Sequence, residues 1–150
     1  NRAIKLNPNC KLTLILMQVN DMEDYMKNEG SGFVQDLLQS VQDTVRRHVG
    51  HRGIVCPLQS NLMSVVVQDI NSDIKLRAFI ESLRSRIAWN YRLVDPKYEI
   101  SFSFGVACYP ENGMDMRIVH RKLVKALQMA QEKHANCYVI YKEHLHGELS

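Results

Sequence analysis

The stretch Gly53–Val67, G-I-V-C-P-L-Q-S-N-L-M-S-V-V-V, constrains the fold of this chain more than any other. Two β-branched apolar runs, Ile54–Cys56 and Leu62–Val67, flank a polar Gln59-Ser60-Asn61 turn. Strand formers on both sides of an Asn suited to turn geometry predict a β-hairpin. Pro57 removes a ladder donor from the first arm, so that arm is expected to be irregular near the tip. At the edge of an α/β sheet, a hairpin tip is a common place for a phosphate or metal site. Such a site wants glycines for close backbone approach and carboxylates for the metal, and this tip has neither.

The rest of the chain supplies a sheet and helices around that hairpin. Residues 1–10 carry Pro8 and read as a linker. Lys11–Val19 is a nearly continuous apolar run, suited to a strand buried on both faces. Asn20–Gly30 has Asp21, Glu23 and Asp24 early and a glycine stop, which predicts a short helix. Ser31 is expected to cap a second helix, with Phe33, Leu37, Leu38, Val41 and Val45 at helical spacing up to Gly50. After the hairpin, Ser72-Asp73 caps a long helix with Leu76, Phe79, Ile80, Leu83 and Ile87 on one face, ending before Pro96. Tyr98–Tyr109 alternates as a strand, with Ile100, Phe102, Phe104 and Val106 on one side and Ser101 and Ser103 on the other. Pro110–Gly113 is a turn, Asp115 caps a helix reaching Lys133, and Cys137–Tyr141 is a last strand. Residues 143–150 read as a C-terminal tail. The order βααββαβαβ predicts an α/β (α+β) domain over residues 11–142: a mixed central sheet flanked by helices, related to the ferredoxin-like plan.

One domain is what 150 residues accommodate, and 45% apolar, 23% charged and a net charge of +3 are ordinary for a globular protein. Arg46, Arg47, His48, His51 and Arg52 form the densest basic cluster. It reads as a solvated helix end complementing the macrodipole, with no direct nucleic-acid contact expected. Cys10, Cys56, Cys108 and Cys137 show no metal-ligand or CxxC spacing. Free, buried cysteines and a reducing cytoplasmic setting are therefore expected. No apolar run approaches the ~20 residues that cross a bilayer, so no membrane contact by this segment is expected. The first residue is Asn1 and not Met, which suggests a piece of a longer protein.

Ser101-Phe102-Ser103-Phe104-Gly105-Val106-Ala107 with Tyr109-Pro110 resembles the "vSiGva-yP" strand and turn of GGDEF domains, the diguanylate cyclase or nucleotide-cyclase-like fold. Ala126-Leu127 with Ala130, Asn136 and Gly30 fit the same family pattern, over about Lys11 to Tyr141. The resemblance implies a site at the hairpin tip, where the family reads Gly-Gly-Asp/Glu-Glu-Phe and this chain reads Gln59-Ser60-Asn61-Leu62-Met63. The acidic pair becomes Asn61 and Leu62, and the Asp-x-Asp ending the first strand becomes Gln18-Val19-Asn20. The family's base-contacting Asn and Asp align with Met26 and Gln35. Its phosphate-holding Lys and Arg align with Gln131 and Ala135, and the Lys of the first short helix with Glu23. Its inhibitory Arg-x-x-Asp motif aligns with Gly50-His51-Arg52-Gly53. Two close divalent cations need several anionic oxygens, and phosphoryl transfer rests on positioning and charge neutralisation. Neutral amides at these positions imply no catalytic residue, no metal, no cofactor and no cyclase activity.

Other readings of the remaining features are blander. Asp21, Glu23 and Asp24 complement a helix dipole. His120, His134, His144 and His146 lack ligand spacing. Met22, Met26, Met63, Met114, Met116 and Met129 suggest a former groove partly filled with side chains. The expectation is thus a catalytically inactive GGDEF-like regulatory module of a larger bacterial signalling or transcription-regulator protein. It would act through protein contact, homodimerisation or signal relay with other domains of the same polypeptide. The alternative is a non-catalytic sensor of GTP, cyclic di-GMP or another small molecule. In that case the vestigial groove of Gln18, Asn20, Met26, Gln35, Gln59, Ser60, Asn61 and Leu62 supplies mostly neutral hydrogen bonds. The apolar Leu62–Val67 arm is expected to be an uncovered edge and a dimer seam, which a Lys at Val65 or Val66 would disrupt.

Overall fold

The molecule is built outward from β1 (Leu12–Val19), whose apolar residues alternate between two cores. Ile15, Met17 and Val19 enter one cluster and Leu14 and Leu16 the other, which explains why the run lacks a polar face. The structure, a computed structural model, describes residues 10–59, 61–70, 72–92, 100–133 and 137–142. After β1 come α1 (Met22–Glu29), α2 (Ser31–Val49), a 3-10 turn (Gly50–Arg52), β2 (Gly53–Gln59) and β3 (Leu62–Val67). Then follow α3 (Asp73–Arg92), β4 (Phe102–Tyr109), α4 (Met116–Lys133) and β5 (Cys137–Ile140). The order is the expected βααββαβαβ, with the 3-10 turn added.

The sheet runs β2-β3-β1-β4-β5, with β4 and β5 parallel and every other neighbouring pair antiparallel. The hairpin forms as expected, and its register shifts between Pro57 and Gln59, the irregularity that Pro57 predicts. On one face, α2 and α3 bury Leu37, Val41, Val45, Leu76, Ile80 and Leu83 against Met63, Val65, Phe102, Phe104 and Val106. On the other face, α4 lays Val119, Leu123, Ala126, Leu127 and Ala130 over β4, β5 and β1. The approach is close enough at Gly105 that a Cβ there would meet the Leu123 carbonyl oxygen at 2.7 Å and the Leu127 backbone nitrogen closer still. Glycine is needed there to seat the helix on the strand.

Helix ends follow the sequence with one exception. Ser72 Oγ accepts the Lys75 N–H at 3.1 Å, and Asp115 Oδ1 accepts the Arg117 N–H at 2.8 Å, so both expected caps form. Ser31 is not a cap: it is already the first residue of α2, and Gly30 holds the capping position with φ 92°. A one-residue joint between helices needs a left-handed backbone there, which glycine adopts without strain. The turn at Pro110–Gly113 closes through Gly113 N–H to Pro110 O at 3.0 Å. The strand expected from Tyr98 begins at Phe102, and Tyr98 and Glu99 lie outside the described residues.

Two other expectations are overturned. The Leu62–Val67 arm is not an edge, because β3 lies between β2 and β1 and Val65 is only 1% exposed. The edge is β2, the arm that carries Pro57. The cysteines are not all free and buried either. Cys10 and Cys108 form a disulfide across 98 residues with their Cα atoms 5.3 Å apart. The ladder sets Thr13 opposite Cys108, and ahead of β1 the chain brings Cys10 Sγ to 3.7 Å from Thr13 Oγ1, which places it beside Cys108. That proximity comes from how the chain enters β1 and is invisible in sequence spacing. Cys56 is free and exposed, while Cys137 is free and half-buried.

Candidate functional site

At the C-terminal end of β1, the hairpin tip, the start of α1 and the end of α4 converge. Val19 N–H donates to Asn61 O at 2.9 Å, and Asn61 Nδ2 returns a bond to Val19 O at 3.0 Å. Asn20 N–H donates to Ser101 O at 2.9 Å, and its side-chain Nδ2 reaches Ser101 Oγ at 2.9 Å and Ser103 Oγ at 3.1 Å. Gln131 Nε2, from the last turn of α4, donates to Gln18 Oε1. The amides at the end of β1 and at the hairpin tip are thus engaged with each other, with neighbouring hydroxyls and with backbone.

Beside them is an open groove of about 400 Å³, lined by Gln18, Val19, Asn20, Asp21, Met22, Glu23, Asp24 and Asn61. Asp21 turns the chain out of β1 in a left-handed conformation (φ 65°), and its side chain does not cap α1. The three carboxylates therefore ring the groove as exposed charges, with no cation among the described lining residues. Their field reaches Tyr25, whose phenol is held above its ordinary pKa first by burial and then by Asp21 and Asp24. Among the described residues no group of three or more His, Cys, Asp or Glu side chains is placed to hold a metal ion. An acidic rim of this kind repels polyphosphates.

Of the residues expected to form the groove, Gln18, Asn20 and Asn61 are brought together. Leu62 turns to the sheet face under α4 and packs beside the second core cluster. Gln59 is exposed at the end of β2, Met26 is 47% exposed on α1, Gln35 is exposed on α2, and none of the three lines the groove. Ser60, His134, Ala135, Asn136, His144 and His146 lie outside the described residues. Methionines do not fill the groove: Met63 is in the core, Met114 and Met116 are exposed, and only Met22 is at the lining. Flexible side chains fill space where neighbours enclose them, and Met26, 47% exposed, is not enclosed. The acidic trio, read from sequence as dipole complement, is the missed part of the lining.

The basic cluster behaves partly as expected. Arg52 Nη2 donates to His48 O at 2.6 Å and its Nε to Val49 O at 3.4 Å, satisfying carbonyls at the C-terminus of α2. His48, however, is half-buried. Its ring lies 4.7 Å from that of Phe79, and its Nε2 is 3.1 Å from Phe79 O. Burial lowers the imidazole pKa, the Phe79 carbonyl opposes that, and Arg86 and Arg52 lower it further.

Comparison with known proteins adds to this geometry. The profile of the family described as "Diguanylate cyclase, GGDEF domain" matches residues 2–137. An uncharacterized protein of Synechocystis sp. is 17% identical over 142 residues, and the chain spans about a fifth of its length (95% of this chain, 20% of that protein). The active GGEEF domain of a diguanylate cyclase from Vibrio cholerae superposes with a TM-score of 0.76 at 15% identity, covering 89% of this chain and 84% of that one. The GGDEF domain of DgcB from Caulobacter crescentus, solved with c-di-GMP, gives a TM-score of 0.74 at 12% identity over 88% and 78%.

Proposed function

The chain belongs to the GGDEF family, and from that premise we propose that it is a catalytically inactive member: a regulatory module of a larger bacterial signalling or transcription-control protein. It works through protein contact, dimerisation or relay between other domains. The observation that carries this reading is the state of the amides at the hairpin tip and the end of β1. Gln18 is bonded to Gln131 and Asn61 to Val19, where family members carry charge for metal and phosphate. Phosphoryl transfer needs cations to offset the phosphates, and among the described residues the groove has neither a Lys or Arg in its lining nor carboxylates placed together to hold a metal ion. Incubation with GTP and magnesium is expected to give no cyclic dinucleotide by chromatography, and turnover above a no-protein control would overturn the reading.

A second reading, a small-molecule sensor, is favoured by the open 400 Å³ groove. A ligand that binds the folded state alone raises stability by about 2.7 kcal/mol at a hundredfold excess over Kd. Thermal-shift and calorimetric screens against GTP, cyclic di-GMP and ATP, with and without magnesium, separate the two. Flat melting curves are expected, and a saturable shift with any nucleotide replaces the first reading with the second.

A further inference from the structure

The two ends of the Cys10–Cys108 bond are held differently. Cys108 continues the row Phe102, Phe104, Val106 along β4 and is 3% exposed. Its backbone is fixed on its own account: the N–H donates to Asn112 Oδ1 at 2.8 Å and the carbonyl accepts the Asn112 N–H at 2.9 Å. Cys10 stands ahead of β1 and is half-buried. Among the described residues, the first backbone tie of the chain to the sheet is at Lys11, whose N–H donates to Tyr109 O at 2.8 Å. Residue 10 is therefore held to the sheet through its sulfur.

The core does not run through this bond. Neither cysteine belongs to either buried cluster, and the β1–β4 ladder continues from Thr13 opposite Cys108 to Val19 opposite Phe102 without it. The separated thiols are also accommodated where they stand. Cys10 Sγ lies 3.4 Å from Leu12 O and 3.7 Å from Thr13 Oγ1, whose own proton goes to Ile70 O. Both oxygens can accept from a weak S–H donor, and a buried Cys108 thiol packs as a small hydrophobe. Cys56 points the same way, since it is free and exposed. A permanently oxidising setting seldom leaves such a thiol unpaired, whereas where thiols persist a disulfide is usually transient and redox-sensing.

We propose that Cys10 and Cys108 are a reversible redox pair, opened and closed in the folded domain by a thioredoxin-type dithiol, whose state sets how firmly the chain is held where it enters β1. A thiolate of the reductant attacks Cys10 Sγ, the more accessible sulfur, and the bond to Cys108 Sγ breaks. Cys108 leaves as a thiolate and takes a proton from water, while Cys10 stays in a mixed disulfide with the reductant. The reductant's second thiolate attacks its own sulfur in that bond and expels the Cys10 thiolate, which is protonated in turn. Two electrons and two protons pass to the domain, and the reductant departs as its disulfide. An oxidised dithiol of the same class runs these steps backwards. The inference goes beyond the protein-contact reading and needs neither nucleotide nor partner domain, so each is tested alone.

The experiment uses the whole chain, oxidised and without denaturant. Quenching with N-ethylmaleimide in urea is expected to label two thiols, Cys56 and Cys137, before reduction. After millimolar dithiothreitol or reduced thioredoxin, all four cysteines should be labelled, while the dispersed amide spectrum of a folded protein persists. Oxidised dithiothreitol should then relink the Cys10 and Cys108 peptides alone. A thioredoxin lacking its second cysteine should be captured on Cys10. On reduction the backbone order parameter at Cys10 should fall from about 0.85 to below about 0.6, with Met17 staying near 0.85. Cys10→Ser should show the low value with or without reductant. The proposal is overturned by a bond that opens only after urea, by reduction that collapses the spectrum, or by capture on Cys108. An unchanged order parameter at Cys10 overturns it too, as does starting protein whose four free thiols oxidised dithiothreitol cannot lower.

Discussion

Asn20 shows how much rests on single neutral side chains at the groove. Its amide ties the end of β1 to Ser101 and to Ser103, whose side chain is buried within the sheet. Asn20→Ala leaves that hydroxyl without its partner and is expected to cost about 1–2 kcal/mol in urea unfolding. A loss under a few tenths would mean that water replaces the amide. His48 supplies a pH signature. Burial lowers its folded-state pKa below the unfolded value near 6.5, so between the two values the unfolded chain binds more protons. Stability therefore falls as pH drops through about 6.5 and levels off below the folded value. His48→Gln should flatten that part of the urea-midpoint profile between about pH 5 and 8, and a profile unchanged by the substitution would place the titration elsewhere.

Among the elements, α4 and β4 meet through a missing side chain. Gly105→Ala puts a methyl group against the Leu123 carbonyl and the Leu127 amide, both backbone atoms that cannot rotate away. Destabilisation of about 1–3 kcal/mol is expected, read as a lowered melting temperature. Val65→Lys, conceived for an edge strand, now has a different expected result: a buried unpaired charge in an interior strand, and loss of folded protein. A folded, monomeric Val65→Lys protein would contradict the strand order. The elements themselves were legible because their periods were clean, as in the 2-residue repeat of Phe102, Phe104 and Val106 and the 3.6-residue repeat of Leu76, Ile80 and Leu83. The order of strands was not legible. Nothing local distinguishes the apolar β3, covered on one side by β2, from a strand with a free edge. Of the candidate site, the β1 amides and the hairpin Asn61 were legible through motif position. Met26 and Gln35 were misplaced because helix orientation over the sheet is set by tertiary packing.

At the scale of the whole molecule, the Cys10–Cys108 bond closes a loop of 98 residues around most of the domain. On chain-entropy grounds such a loop stabilises by about 4–5 kcal/mol. A reductant is expected to lower the melting temperature markedly, and Cys10→Ser to remove that sensitivity. If the parent melts identically with and without reductant, the bond contributes nothing. The central place of β1 also bears on the timing of assembly. It leaves the ribosome ahead of the other described strands, apolar on both faces, yet its partners β3 and β4 begin about fifty and ninety residues later. Non-local pairings of this kind slow folding and leave apolar strands exposed meanwhile. A nascent chain stopped before Phe102 would hold β1 with one neighbour and no α4, the form in which this domain is most open to aggregation and most in need of a chaperone.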